Sequence, residues 1–156
     1  MYRTNTGDVA NLLDIPVKDF VPRRYRPGNL GTWSGHLAFA NDLISAVRPS
    51  LIVELGTHHG ESYFTFCQSV AENDLNCLCY AVDTWRGEAH AGYYGEDVMN
   101  DVSKHNETYY KSFSYLLRTN FDEALSKFTN ETIDLLHLDG LHTYEAVRHE
   151  DRKRTL

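Results

Sequence analysis

The sequence predicts an α/β protein built on a predominantly parallel sheet, and three observations carry that reading. The run Leu51-Ile52-Val53-Glu54-Leu55 is apolar except for one acid and breaks at Gly56, and a segment of helical spacing follows a second glycine, Gly60. Further apolar runs alternate with helical segments along the chain, as expected of strands buried on both faces and joined by crossover helices. The strands end in acids or small polar residues, at Asp83, at Thr119-Asn120 and at Asp139. In such a sheet the ligand crevice lies at the carboxyl ends of the strands.

The bulk properties narrow the class. A chain of 156 residues is long enough for one domain with a sizeable core. Its formal net charge of −7 argues against nucleic acid as a partner. No apolar run approaches the roughly 18 residues that a membrane span needs, and the polar N-terminus does not read as a signal peptide. Cys67, Cys77 and Cys79 are an odd set, too few for a disulfide framework, so a cytoplasmic location is expected. Cys77-Leu78-Cys79 lacks a second Cys/His pair at zinc spacing and reads as packing within a strand.

Residues 1–31 read as an irregular N-terminal arm interrupted by Pro16, Pro22, Pro27 and Gly28, and residues 32–156 as a single domain. Arg23, Arg24 and Arg26 in the arm have two readings, a solvated surface or a flap meeting an anionic group. From Ser34 the spacing of Trp33, Leu37, Ala40, Ile44 and Val47 predicts a helix that Pro49 stops near Arg48. Trp33 and His36 at its start either cover the core edge or reach a ligand. The opening strand follows, then a helix from Glu61 to Asn73 with Tyr63, Phe66, Cys67 and Val70 on one face. A second strand, Cys77 to Val82, completes a right-handed βαβ unit and sets Asp83 beside the glycine turn.

After a glycine- and tyrosine-rich loop, Tyr94, Val98, Val102, His105 and Tyr109 mark another helix. A short strand, Phe113 to Leu117, ends before Asn120, which suits an N-cap, with Asp122 and Glu123 favoured by the helix dipole. The fourth strand runs from Ile133 to Leu138 and closes with Asp139-Gly140, and a last helix begins around Thr143.

Gly56 and Gly60 carry no Cβ and would let a ligand approach the backbone closely. Asp83 is placed to accept hydrogen bonds from a ribose diol. Thr119, Asn120 and Phe121 could bracket a purine, and Asp139 would face the reacting end of the ligand. Glu54 is an acid in a buried strand, costly unless hydrogen-bonded or charge-compensated. The turn is Gly-x-x-x-Gly, which is not the dinucleotide fingerprint, and no lysine follows it, which excludes a Walker-type phosphate loop. Glu54 and Glu61 would repel a pyrophosphate and suit a cation carrying an adenosine.

These residues carry a resemblance. Val53-Glu54-Leu55-Gly56-Thr57-His58-His59-Gly60 resembles the first motif of class I S-adenosylmethionine-dependent methyltransferases, and Val82-Asp83-Thr84-Trp85-Arg86-Gly87 resembles their second. Asp134-Leu135-Leu136-His137-Leu138-Asp139-Gly140-Leu141-His142-Thr143-Tyr144 is similar to the strand-four motif of a subgroup associated with glycosyltransferase and polysaccharide-modifying genes. The loop His90-Ala91-Gly92-Tyr93-Tyr94-Gly95-Glu96 looks like that subgroup's too.

The resemblance implies a three-layer Rossmann-like sheet of which the first four strands, in the order 3-2-1-4, are present. It implies S-adenosylmethionine held by Glu54, Gly56, Thr57, Gly60, Ser62, Asp83, Thr84, Trp85, Asn120 and Asp122. The chemistry implied is methyl transfer to oxygen of a sugar or another small hydroxylated acceptor. Asp139 and His142 are the candidate bases, with Asp139 also a candidate ligand for a divalent metal such as Mg. His142 has a second reading as an exposed first-turn residue. His58 stands where the family's turn has its middle glycine. The family's strands five to seven have no counterpart, so the resemblance implies a C-terminally truncated form, with the fourth strand as an unpaired edge. A homo-oligomer covering that edge is expected. The alternative is a catalytically inactive cofactor-binding or structural remnant that oligomerises through it.

Overall fold

The computed structural model of the chain describes residues 20–24, 33–88, 92–129 and 131–140. The elements are α1 (Leu37–Val47), β1 (Leu51–Leu55), α2 (Glu61–Glu72), β2 (Leu78–Asp83), β3 (Gly87–Glu88), β4 (Gly92–Tyr93), α3 (Glu96–Tyr109), β5 (Ser114–Arg118), α4 (Phe121–Leu125) and β6 (Leu135–Leu138). Four strands pair in parallel in the order β5-β2-β1-β6, the 3-2-1-4 arrangement that was expected. The short antiparallel pair β3–β4 was not foreseen from the sequence.

Strand parity divides the core in two. Ile52, Cys79 and Ala81 face α1, α2 and α3, while Val53, Leu55 and Val82 face α4. The result is three layers with the sheet in the middle. Helix α2 is buried from Glu61 to Val70, more completely than its single apolar face predicts. One reason is the arm: the Gln68 amide donates to the Val21 carbonyl at 2.9 Å and accepts the Arg23 N–H at 2.7 Å. Residues 20–24 are therefore docked on α2 and are not a solvated tail.

Element boundaries moved for local reasons. Helix α1 starts at Leu37, because residues 33–36 form turns closed by the His36 N–H on the Trp33 carbonyl, at 2.8 Å. Strand β2 extends one residue beyond the expected end, since Asp83 pairs with Arg118 on β5. Strand β6 starts two residues late. Asp134 is diverted, its carboxylate accepting the N–H groups of Ser50 and Leu51 at 2.7 and 3.1 Å. The helix expected from Thr143 lies outside the described residues.

Candidate functional site

The turn between β1 and α2 is held in a left-handed backbone at three positions, Gly56 (φ +94°), His58 (φ +48°) and Gly60 (φ +77°). The glycines are required by the protein's own packing. A Cβ on Gly56 would lie 2.4 Å from the Asp139 carbonyl oxygen, and one on Gly60 would lie 2.7 Å from the Phe64 ring. Their missing side chains thus admit neighbouring chain, a different reason from the ligand approach expected of them. His58 takes the left-handed conformation without being glycine, a strain of order 1 kcal/mol or more.

Asp83 holds the turn in place. Its Oδ2 accepts the His58 N–H at 2.8 Å, and its Oδ1 accepts the Trp85 N–H at 2.7 Å. The Tyr94 hydroxyl donates to the same carboxylate, 3.2 Å from Oδ2. A carboxylate offers about four lone-pair positions, so these three donors leave roughly one open. Trp85 closes the arrangement by donating its indole N–H to the His58 carbonyl at 3.0 Å. The indole is wholly enclosed in the core. Trp85 therefore supports the turn from within the protein, and its ring presents no surface to a ligand.

Glu54 lies one strand away with no exposure at all. Its Oε2 is 2.7 Å from Nδ1 of His137, its register partner on β6. Burial raises the Glu54 pKa, with His137 and the Ser62 hydroxyl pulling the other way. Burial also works to lower the His137 pKa, but the hydrogen bond and charge of Glu54 outweigh it and the net shift is upward. The compensation expected for a buried Glu54 is therefore His137, a residue whose sequence spacing suggested nothing. Two buried oxygens here find no hydrogen-bond partner among the described residues, Glu54 Oε1 and Thr57 Oγ1.

The far side of the site is built by β5, α4 and β6. Asn120 caps α4, its side-chain oxygen accepting the Glu123 N–H at 2.8 Å, and Asp122 follows in the exposed first turn. The Phe121 ring lies where a Cβ on Gly140 would be, 2.5 Å from it, so the start of α4 sits against the end of β6. Asp139 donates its N–H to the Leu55 carbonyl at 2.8 Å, beside Gly56. Thr84 is half-buried, and its carbonyl accepts from Arg118 at 3.2 Å. The structure thus gathers Glu54, Gly56, Thr57, Gly60, Ser62, Asp83 and Asp139 at the ends of β1, β2 and β6. Asn120 and Asp122 stand at the β5–α4 corner. His142 lies outside the described residues. Among the described residues no three His, Cys, Asp or Glu side chains gather as a metal site.

Sequence reasoning missed Tyr94 and His137, and left Arg24 between a solvated arm and a flap. Arg24 donates twice to the His59 carbonyl, at 2.9 and 3.1 Å, and pairs with Asp101 on α3. Its charge is committed to the protein's own turn and not to a substrate anion. Only a run of arginines in the arm hinted at it.

Comparisons with known proteins bear on the family and the fold. The model of a family described as a methyltransferase domain matches residues 53–152. The uncharacterized protein y4gI of Sinorhizobium fredii (strain NBRC 101917 / NGR234) is 47% identical over 145 residues, which are 93% of this chain and 15% of that protein. A crystal structure assigned as an O-methyltransferase from Klebsiella pneumoniae superposes with a TM-score of 0.57 at 13% identity, over 94% of this chain and 56% of that one. The structure named cmcI-N160 SAH gives a TM-score of 0.50 at 17% identity, over 100% of this chain and 74% of that one. These two likenesses show a shared fold. The chain spans only a small part of the curated relative and about half to three quarters of the solved chains.

Proposed function

The chain belongs to the methyltransferase-domain family, and from that premise we propose that it seats S-adenosylmethionine over the glycine turn and serves methyl transfer to oxygen of a small hydroxylated acceptor, a sugar by the resemblance. The observation that carries this reading is the turn itself. It is fastened to Asp83, edged by acids, and holds a buried Thr57 hydroxyl with no partner among the described residues. Those features suit a cationic ligand with a hydroxylated ribose. When bound, S-adenosylmethionine supplies an activated methyl group on a sulfonium.

The chain's own residues would do the rest. Asp83 has one lone-pair position open for a ribose hydroxyl and gains another when the Tyr94 hydroxyl moves aside. Thr57 and Ser62 supply hydroxyls, Asp139 supplies an acid near the sulfonium, and Glu54, paired with His137 through Oε2, offers its Oε1. Asn120 and Asp122 border the adenine. Asp139 and His142 are the groups proposed to take the acceptor's proton. A divalent metal on Asp139, such as Mg, rests on the resemblance alone. The name of one solved relative includes SAH, which is consistent with the cofactor. Much of the catalytic gain in such a transfer comes from alignment and exclusion of water.

A second reading is favoured by one observation. Among the described residues β6 pairs with β1 only, which leaves a parallel edge open. A chain that binds cofactor without reacting, or an assembly joined through that edge, fits this.

Calorimetric titration with S-adenosylmethionine and S-adenosylhomocysteine separates these readings. Micromolar binding is expected, and its absence rejects both cofactor readings. Binding without methylation of any sugar-nucleotide, glycan or phenolic acceptor favours the second. Asp83→Ala is expected to weaken cofactor binding by about 1–3 kcal/mol through lost ribose hydrogen bonds. An unchanged affinity would place the ribose elsewhere.

A further inference from the structure

A cavity of about 430 Å³ opens between α1 and β6, outside the glycine turn. Its lining includes Trp33, Phe39 and Leu43 from the α1 side, Phe66 from α2, and Leu135 and His137 from β6. Helix α1 runs back along the sheet into β1, so Trp33 at its start lies toward the carboxyl ends of the strands. His137 in its lining stands two residues before Asp139, whose N–H meets the Leu55 carbonyl beside Gly56.

Three features distinguish it from an ordinary apolar gap. His137 is fixed in orientation, because Nδ1 is committed to the fully buried Glu54. That commitment leaves Nε2 as the ring nitrogen available for another partner. The rings of Trp33 and Phe66 meet His137 edge-on, with centroids 4.8 and 5.4 Å away, so one polar atom sits in an aromatic corner. Phe39, a large apolar side chain, stands 64% exposed at the cavity. Small-molecule sites are typically concave, mostly apolar, and carry a few fixed polar groups. A polyhydroxylated sugar would leave most of its hydroxyls unpaired against this wall, at a desolvation cost for each.

We propose that this cavity is a binding site for a small planar aromatic molecule bearing a hydroxyl, which stacks between Trp33 and Phe39 over the buried edge of Phe66 and hydrogen-bonds to His137 Nε2. If the transferase reading above holds, this is a seat for its hydroxylated acceptor, and the aromatic walls favour a phenol over the sugar that the resemblance implies. The binding claim itself does not need the cofactor.

The test uses the whole chain and two probes, phenol and methyl glucoside, followed by ¹H–¹⁵N correlation spectra. Phenol is expected to give saturable shifts at the Trp33 indole and the amides of Leu43, Leu135 and His137, while methyl glucoside gives none. Leu43→Trp fills the cavity and should weaken phenol binding at least about tenfold, with the wild-type melting transition and unchanged calorimetric affinity for S-adenosylmethionine. The paired change Glu54→Leu with His137→Phe removes the ring nitrogens without leaving a buried acid unpaired, and should lose the preference for phenol over toluene. The proposal is overturned if methyl glucoside binds there as well as phenol does. It also falls if phenol shifts survive Leu43→Trp, or if that variant changes the oligomeric state and not phenol binding, which would mark the face as an interface between copies. Phenol binding without cofactor binding rejects the transferase reading alone, and cofactor binding without phenol binding rejects this one alone.

Discussion

Asp83 serves two demands with one set of lone pairs. It fastens the backbone of His58 and Trp85, and it is the residue proposed to hold a ribose. Replacing it therefore disturbs the apoprotein as well as binding. Gly56 is a sharper single-residue case. Gly56→Ala places a methyl 2.4 Å from a backbone oxygen at a φ of +94°. Overpacking and left-handed strain together should cost about 3 kcal/mol or more, measured by chemical denaturation. A loss under 1 kcal/mol would mean that the β1–β6 junction yields easily.

His105 on α3 gives a pH signature. Burial lowers its pKa to about 4, Arg24 adds to the effect, and Asp101 opposes it. Its ring lies among Phe64, Tyr109 and Tyr110. The unfolded chain then binds the extra proton first as pH falls below about 6.5. Stability is full above that value, declines down to pH 4, and is lost no further below it. Because the group is half-buried, roughly 2 kcal/mol is expected from this residue. Between pH 7 and 4 the stability of His105→Leu should gain on that of wild type as the pH falls, and melting curves that stay parallel would refute the assignment.

Among the elements, α4 shows how little holds the far side of the site. It has five residues, Phe121–Leu125, and its start is secured by the Asn120 cap and by the Phe121 ring on Gly140. Asn120→Ala should destabilise the protein by about 1 kcal/mol, seen as a lower urea midpoint with an unchanged slope. Helix α2 is the opposite case. The turn leads into its N-terminus, and the arm, α1 and the sheet enclose it. A buried polar set ties the neighbouring elements together: Tyr63 and Ser114 oxygens lie 2.6 Å apart, and the Asn106 amide donates to the Ser114 carbonyl at 3.1 Å. The periodicity of α2 marked one apolar face, but its burial comes from elements distant in sequence.

At the scale of the molecule, the described sheet has four parallel strands with β6 at one edge. Parallel sheets are normally covered on both faces and at their edges, so the proposal of a homo-oligomer across β6 is a claim about how this edge is protected. Light scattering after size exclusion at micromolar concentration should return a dimer or larger species, and a monomer would count against that proposal. Among the described residues no helix is long and apolar enough to cross a membrane.

The sequence by itself determined the strand–helix alternation, the two glycines of the turn, the acid after β2 and the cap of α4. Each of these is local. Period-two and period-3.6 patterns, missing Cβ atoms and capping chemistry act between residues a few positions apart. Only the tertiary structure decided what those residues touch. Glu54 meets His137 across 83 positions, Arg24 reaches the turn across 35, and Tyr94 takes a share of Asp83. Those pairings depend on parallel register and on how an arm and a loop fold back over the sheet, and no neighbouring residue encodes them.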